Sequence, residues 1–172
     1  MPPVAAFTVD IDAPVETVWQ AMIDLARYHE WNPFIVAVAS KDAIIRVGSP
    51  ILLDVRWGRG GGTRSPEVVT RMEAPAPAAS VTGGQRALLE YTFAGWLARF
   101  GLVRGARVQT IAQAPGGHTT YETHERFHGL LASGVPLAKV QDGFERHARA
   151  LKVRAEAAAR ATGARAAATA AG

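Results

Sequence analysis

The sequence predicts an α+β fold: a curved antiparallel sheet of about seven strands wrapped on one long C-terminal helix, with two short helices after strand one. Three observations carry this reading. Apolar and polar residues alternate with period two through a series of closely spaced stretches. Two short helical patterns interrupt that series after its first member. Beyond Gly129 the period changes to that of a helix and stays so to the C-terminal region.

The first strand is Phe7, Val9 and Ile11 alternating with Thr8, Asp10 and Asp12, so one face is wet. Pro14 suits the first turn of a helix, and Glu16 sits in that turn where the macrodipole favours a carboxylate. Val15, Val18, Trp19, Met22, Ile23 and Ala26 recur at helical spacing, which extends the helix from about Pro14 to Arg27. A second short helix follows and ends at Asn32, because Pro33 disfavours helical geometry in the residue before it. Strands are then expected at Phe34–Ser40, around Ile51–Trp57, Val68–Met72 and Leu89–Phe93, and at Arg107–Ala112 and Thr119–His128. The facing of Arg107 and Gln109 is left open by their strand's pattern. The breaks at Gly58–Pro66, Ala74–Gly84, Gly95–Gly105 and Pro115–Gly117 fit turns, and such close spacing requires antiparallel pairing. Leu137, Val140, Phe144, Ala148, Leu151, Ala155 and Ala158 form the apolar stripe of a helix from about Val135 to Ala161. Gly163 suits its end. Residues 1–162 are expected to form a single domain, and 163–172 an Ala-rich, disordered tail.

Composition narrows the function. The chain has 172 residues, no cysteine and 48% hydrophobic residues, which excludes a disulfide scaffold, a zinc-thiolate site and a cysteine nucleophile. The net charge is +4, and the six basic and two acidic residues from Glu145 onward account for all of it. That places the charge on a solvated helix rather than on a nucleic-acid-binding stripe, so no nucleic acid is expected. The N-terminus lacks a signal-peptide pattern and no apolar run is long enough for a membrane span, so a cytoplasmic location is expected.

Three stretches resemble one family. They are Ile11-Asp12-Ala13-Pro14-Val15-Glu16-Thr17-Val18-Trp19, the Trp31-Asn32-Pro33 bend, and Glu125-Arg126-Phe127-His128-Gly129-Leu130-Leu131 followed by the long helix with Phe144 and Leu151-Lys152. In this order they resemble the START-like helix-grip superfamily (SRPBCC), in particular its polyketide cyclase/dehydrase and lipid-transport branch. The resemblance covers roughly residues 4–160. It implies a helix-grip fold with an elongated space between sheet and helix. The superfamily includes ligand carriers, aromatase/cyclases, chaperone activators and hormone receptors, so it does not imply one activity.

The last strand is the most informative for chemistry. Thr120, Glu122, His124, Arg126 and His128 form an all-polar set that must take water, so Tyr121, Thr123, Glu125 and Phe127 face the helix. Glu125 is then a carboxylate aimed at an apolar interior, where burial raises its pKa unless a donor compensates. It is a candidate ligand anchor or general acid/base; the plainer reading is an internal hydrogen bond or ion pair. The inward set also takes in Trp57, Tyr91, Phe93, Leu53, Val55, Val68, Thr70 and Met72, with Trp31 and Phe34 near one end and Phe144 on the long helix. In a small solid core these residues would only fill space. In the cavity that the resemblance implies, Trp31, Trp57, Tyr91, Phe93, Tyr121, Thr123, Glu125 and Phe144 are the expected ligand-binding residues. The Gly95–Gly105 loop, with Trp96, Leu97, Phe100, Leu102 and Val103, could be an entrance lid, a homodimer contact or packing for the first helices.

Other motifs fall away. The glycine-rich Gly58–Arg64 segment lacks the Lys-Ser/Thr of a phosphate loop, and no Gly-x-Ser-x-Gly elbow exists. The five histidines show no metal-ligand spacing, so neither a metal nor a cofactor is expected. The leading expectation is binding of a hydrophobic small molecule, a lipid, polyketide or aromatic metabolite. The alternative is an aromatase/cyclase catalysing aldol closure and dehydration, with Glu125 and Tyr91 or Tyr121 moving protons.

Overall fold

The computed structural model describes residues 3–77, 84–113 and 118–170. Its elements are β1 (Val4–Ile11), α1 (Val15–Ile23), a 3-10 turn (Leu25–Arg27), α2 (Tyr28–Trp31), β2 (Ile35–Ser40), β3 (Pro50–Arg56), β4 (Gly62–Pro77), β5 (Gln85–Phe93), α3 (Trp96–Arg99), β6 (Arg104–Gln113), β7 (Thr119–His128), a second 3-10 turn (Ala132–Gly134) and α4 (Leu137–Ala170). The seven strands form one antiparallel sheet in the order β1-β7-β6-β5-β4-β3-β2. The strands from β2 to β7 form a meander. The chain from β1 to β2 crosses to the far edge through α1 and α2. This is the α+β architecture that the periodicities predict, with α4 laid along the concave face. No helix among the described residues is long and apolar enough to cross a membrane.

Register irregularities in β2–β3 and β4–β5, at Ile35/Ala37, Val69/Arg71 and Glu73/Ala76, bend the sheet. Helix α4 is fastened to the β1 edge by side chains that complete unpaired backbone groups. Gln141 accepts from Ala6 N at 2.9 Å and donates to Ala6 O at 2.7 Å, Glu156 accepts from Asp12 N, and Lys152 donates to Asp10 O. An edge strand covered in this way has few free groups left for another strand. Near the opposite edge Arg146 donates to Pro33 O and Arg56 O. Asn32 holds the bend before β2: its Oδ1 accepts from Phe34 N and Ile35 N, an Asx turn.

Three expectations need correction. The turn expected at Gly58–Pro66 is shorter, because β4 already begins at Gly62 and includes Pro66. Pro66 is tolerated inside the sheet because its carbonyl faces Ala94, just past the end of β5, so its missing N–H also faces a place where the ladder has stopped. The inward residues of β4 are Ser65, Glu67 and Val69, not Val68 and Thr70: Val69 is 1% exposed and Thr70 lies on the exposed side. The irregularity at Val69/Arg71 then restores the expected parity, and Met72 packs against the core. Finally, α4 does not stop at Gly163. The stretch expected as a disordered tail is helical as far as Ala170, since one glycine costs about 1 kcal/mol and the surrounding alanines are the best helix formers. The turns expected at Ala74–Gly84 and Pro115–Gly117 lie wholly or largely outside the described residues.

Candidate functional site

A cavity of about 600 Å³ lies between the sheet and the N-terminal half of α4. Its walls are apolar. Leu53, Val55 and Trp57 come from β3 and its end, Phe93 from β5, and Val140 and Phe144 from α4. Gly143 lets α4 come down onto the Phe34 ring, since a Cβ there would collide with it. Leu97 of α3 and Val103, just before β6, line the mouth, while Trp96 and Phe100 of the same segment are 65% and 75% exposed. A backbone bond from Leu131 N to Leu102 O ties this loop to the segment after β7.

The ionisable groups are few and come from adjacent strands. Arg107 and Glu125 are direct cross-strand partners on β6 and β7, and both face the cavity. The register left open by the sequence is thereby settled: Arg107 and Gln109 face inward, 3% and 0% exposed. Arg107 donates from Nε to Thr123 Oγ1 at 3.0 Å, from Nη1 to the Tyr91 hydroxyl at 3.0 Å, and from Nη2 to the Tyr121 hydroxyl at 3.5 Å. Its guanidinium lies 4.2 Å from the centre of the Phe144 ring, a close cation–π contact. The Tyr121 hydroxyl donates in turn to Gln109 Oε1 at 2.8 Å. Glu125 turns into space that Gly105 leaves, because a Cβ at Gly105 would collide with its Oε1. Glu67 completes the polar wall from β4 and accepts from Ser65 Oγ at 2.6 Å.

Burial sets the protonation of both carboxyls. It pushes Glu67 up to about 8, with Glu125 adding to the rise and Ser65 and Arg107 opposing it. It pushes Glu125 up to about 7 against the pull of Arg107. Tyr91 and Tyr121 are raised above the usual phenol range, chiefly by burial, and remain neutral hydroxyls.

Below this wall lies His147 of α4, 0% exposed, its ring stacked 6.1 Å from that of Tyr121. Asn32 fixes its tautomer. The Asn32 carbonyl is taken by two backbone donors, so its Nδ2 donates to His147 Nδ1 at 2.8 Å. His147 is therefore a neutral Nε2–H imidazole, and burial followed by the nearby Arg107 holds its pKa well below the usual range.

Of the residues singled out in the sequence, Trp57, Tyr91, Phe93, Glu125 and Phe144 line the cavity. Tyr121 and Thr123 do not reach it; both are 0% exposed and act beneath it as partners of Arg107. Trp31 lies elsewhere. It packs edge-on against Tyr28 and His147 and lines a separate cleft with Val38, Met72 and Arg154. Sequence reasoning missed Glu67 and did not place Arg107. An acidic residue opposite the end of β5 was visible, but the parity assigned to β4 put it outside.

No family model matches the sequence, and no curated protein matches it. Solved structures do match. A hypothetical protein of Helicobacter pylori superposes with a TM-score of 0.65 at 12% identity, covering 88% of this chain and 87% of that one. The di-domain ARO/CYC BexL from the BE-7585A biosynthetic pathway gives a TM-score of 0.57 at 18% identity, covering 91% of this chain and 49% of that protein. Ara h 8.0201 gives 0.57 at 12% identity, covering 92% and 99%. At these identities the likeness concerns the fold, and the element order, sheet topology and matches agree: the chain has the α+β helix-grip fold.

Proposed function

We propose that the chain binds a hydrophobic small molecule, a lipid, a polyketide or an aromatic metabolite, in the cavity between the sheet and α4. The observation that carries this reading is the cavity itself: about 600 Å³ with largely apolar walls and its ionisable groups confined to the sheet side. Ligand pockets have this composition, whereas a solid core of this size would close over such a volume. The exposed Trp96 and Phe100 beside the mouth suit an entrance.

A second reading, an aromatase/cyclase, is favoured by a specific feature. Glu67, Glu125, Arg107 and Tyr91 share one wall, so two carboxyls poised near neutrality stand beside a fixed cation and a hydroxyl donor. In a folded poly-keto chain, ionised Glu125 would take a proton from a methylene between two carbonyls. Arg107 and Tyr91 would hold the resulting enolate oxygen. The carbanion would attack a ketone of the same chain, and Glu67 would protonate the new alkoxide. Loss of water would follow: Glu67, now ionised, would take a proton from the adjacent carbon, and Glu125, now protonated, would give its proton to the hydroxide leaving the carbinol, which returns both carboxyls to their starting forms.

Titration with N-phenyl-1-naphthylamine, a neutral fluorescent probe, tests both readings in the wild type and in Glu125→Gln. Saturable fluorescence enhancement is expected in both proteins. Absence of saturable uptake in the wild type would refute the cavity reading. Cyclisation of a poly-β-keto thioester by the wild type, lost in a Glu125→Gln protein that still takes up the probe, would establish the cyclase; no cyclisation by either would leave binding as the function.

A further inference from the structure

We infer that the ligand of this cavity carries an acidic head group, a carboxylate or an equally acidic oxygen, which seats on Arg107 while its apolar body fills the space toward Trp57 and Phe93. The inference rests on the cavity reading above and names the ligand class within it.

Arg107 is a buried cation, 3% exposed, that among the described residues has no carboxylate in ion-pair contact within 4.0 Å. A guanidinium has five N–H donors. Three of them meet neutral hydroxyls, on Thr123, Tyr91 and Tyr121, the last at a long 3.5 Å. The other two have no acceptor among the hydrogen bonds of the described residues, and the residue lines the cavity. Aromatic faces also lie around it: Phe144 at 4.2 Å, Phe34 at 5.8 Å and Tyr91 at 6.0 Å. Rings and hydroxyls ease the burial of a charge without neutralising it, and a buried charge is costly until it is paired. Arginine cannot escape by deprotonation. A neutral lipid or hydrocarbon would fill the cavity and leave that charge as it is. A carboxylate offers two oxygens to a planar guanidinium, the arrangement in which such pairs are strongest.

The groups facing Arg107 from each neighbouring element support this polarity. From β4 comes Glu67, from β5 Tyr91, from β7 Tyr121 and Glu125, from α2 Tyr28, and from α4 the neutral His147. The tyrosines and His147 carry no charge at neutral pH. Glu67 is largely protonated there, so it can donate a hydrogen bond to a bound anion instead of repelling it. Glu125 is divided between its two forms. As pH rises through about 7 to 8, both carboxyls ionise, become internal counter-ions for Arg107 and repel an incoming anion.

The test compares decanoate with 1-decanol, which share a chain length and differ in charge, by competition against N-phenyl-1-naphthylamine at pH 6.5 and pH 9. Decanoate is expected to bind at least tenfold more tightly than decanol at pH 6.5, and to lose most of that advantage at pH 9 while decanol changes little. Arg107→Met should bring the two ligands together by weakening decanoate alone. If that variant does not fold, the wild-type ratio and its pH dependence still decide. Equal affinity of the two ligands at pH 6.5 overturns the inference and leaves the cavity reading intact. Failure of both ligands and the probe to bind overturns the cavity reading itself.

Discussion

At the α1 end of the concave face, Ile11, Val15, Val18, Met22, Ile111, Ala148 and Leu151 are each 0% exposed and close on one another. At the α3 end, the same sheet and the same helix enclose about 600 Å³. The boundary runs through Tyr121, His147 and Phe144. On the packed side, small residues on α4, Ala148 and Ala155, let the helix come down onto α1 and β1. On the hollow side, the sheet presents Gly105, Ser65 and three charged residues where a core would place branched aliphatics. Every such exchange gives up dispersion contacts or buries a charge. The molecule thus concentrates its close packing at one end and its buried ionisable groups at the other, the arrangement expected when a site is held in place by a rigid remainder.

The largest difference should appear in truncations. Leu151→Ala removes a side chain with neighbours on all sides and is expected to cost about 2–5 kcal/mol. Val140→Ala, on the cavity wall, removes a side chain that already borders empty space and should cost about 1 kcal/mol. Urea denaturation followed by circular dichroism measures both. Equal losses would mean that the two ends are packed alike.

A smaller effect should come from pH. Glu67 rises from 4.5 to about 8 on folding and Glu125 from 4.5 to about 7. Between those limits the folded chain holds protons that the unfolded chain has released, so stability must fall as pH rises from about 5 to about 9. Glu67, with the larger rise, should account for most of that loss, and Glu67→Gln should flatten the curve. Thermal melts across this range check the sign. A melting temperature that rises with pH would place both carboxylates in ion pairs instead.

The packed end was legible in the sequence and the hollow end only in part, for a physical reason. Patterning arguments work where polar means outward. Helix α1 and the Ala148–Leu151–Ala155 stripe obey that rule, and their spacing identified them. Strand β6 breaks it: Arg107 and Gln109 face in, while Ala106, Val108 and Thr110 are only half-buried on the other face. Alternation therefore gave no facing there. Strand β4 added an irregularity and an internal proline, which together hid Glu67. His147 did carry a signal, since it lies three residues after Phe144 on the inward side of α4 and only its polarity argued against burial. Glu125 and Tyr91 were found because their own strands stay regular.

The smallest effect belongs to the end of α4. From Arg160 to Thr169 every residue is exposed. The hydrogen bonds of that stretch stay within the helix, as where Thr162 and Thr169 reach back to the carbonyls of Ala158 and Arg165. A helix that packs against nothing contributes only its own propensity, which alanine makes favourable and Gly163 opposes by about 1 kcal/mol. Ending the chain at Thr162 should therefore change unfolding free energy by less than about 0.5 kcal/mol and leave probe binding unaltered. A larger loss, measured by the same urea titration, would show that these last turns do cover something, either the rest of this chain or a second copy of it. The division between a packed end and a hollow end would then omit a third contributor to stability.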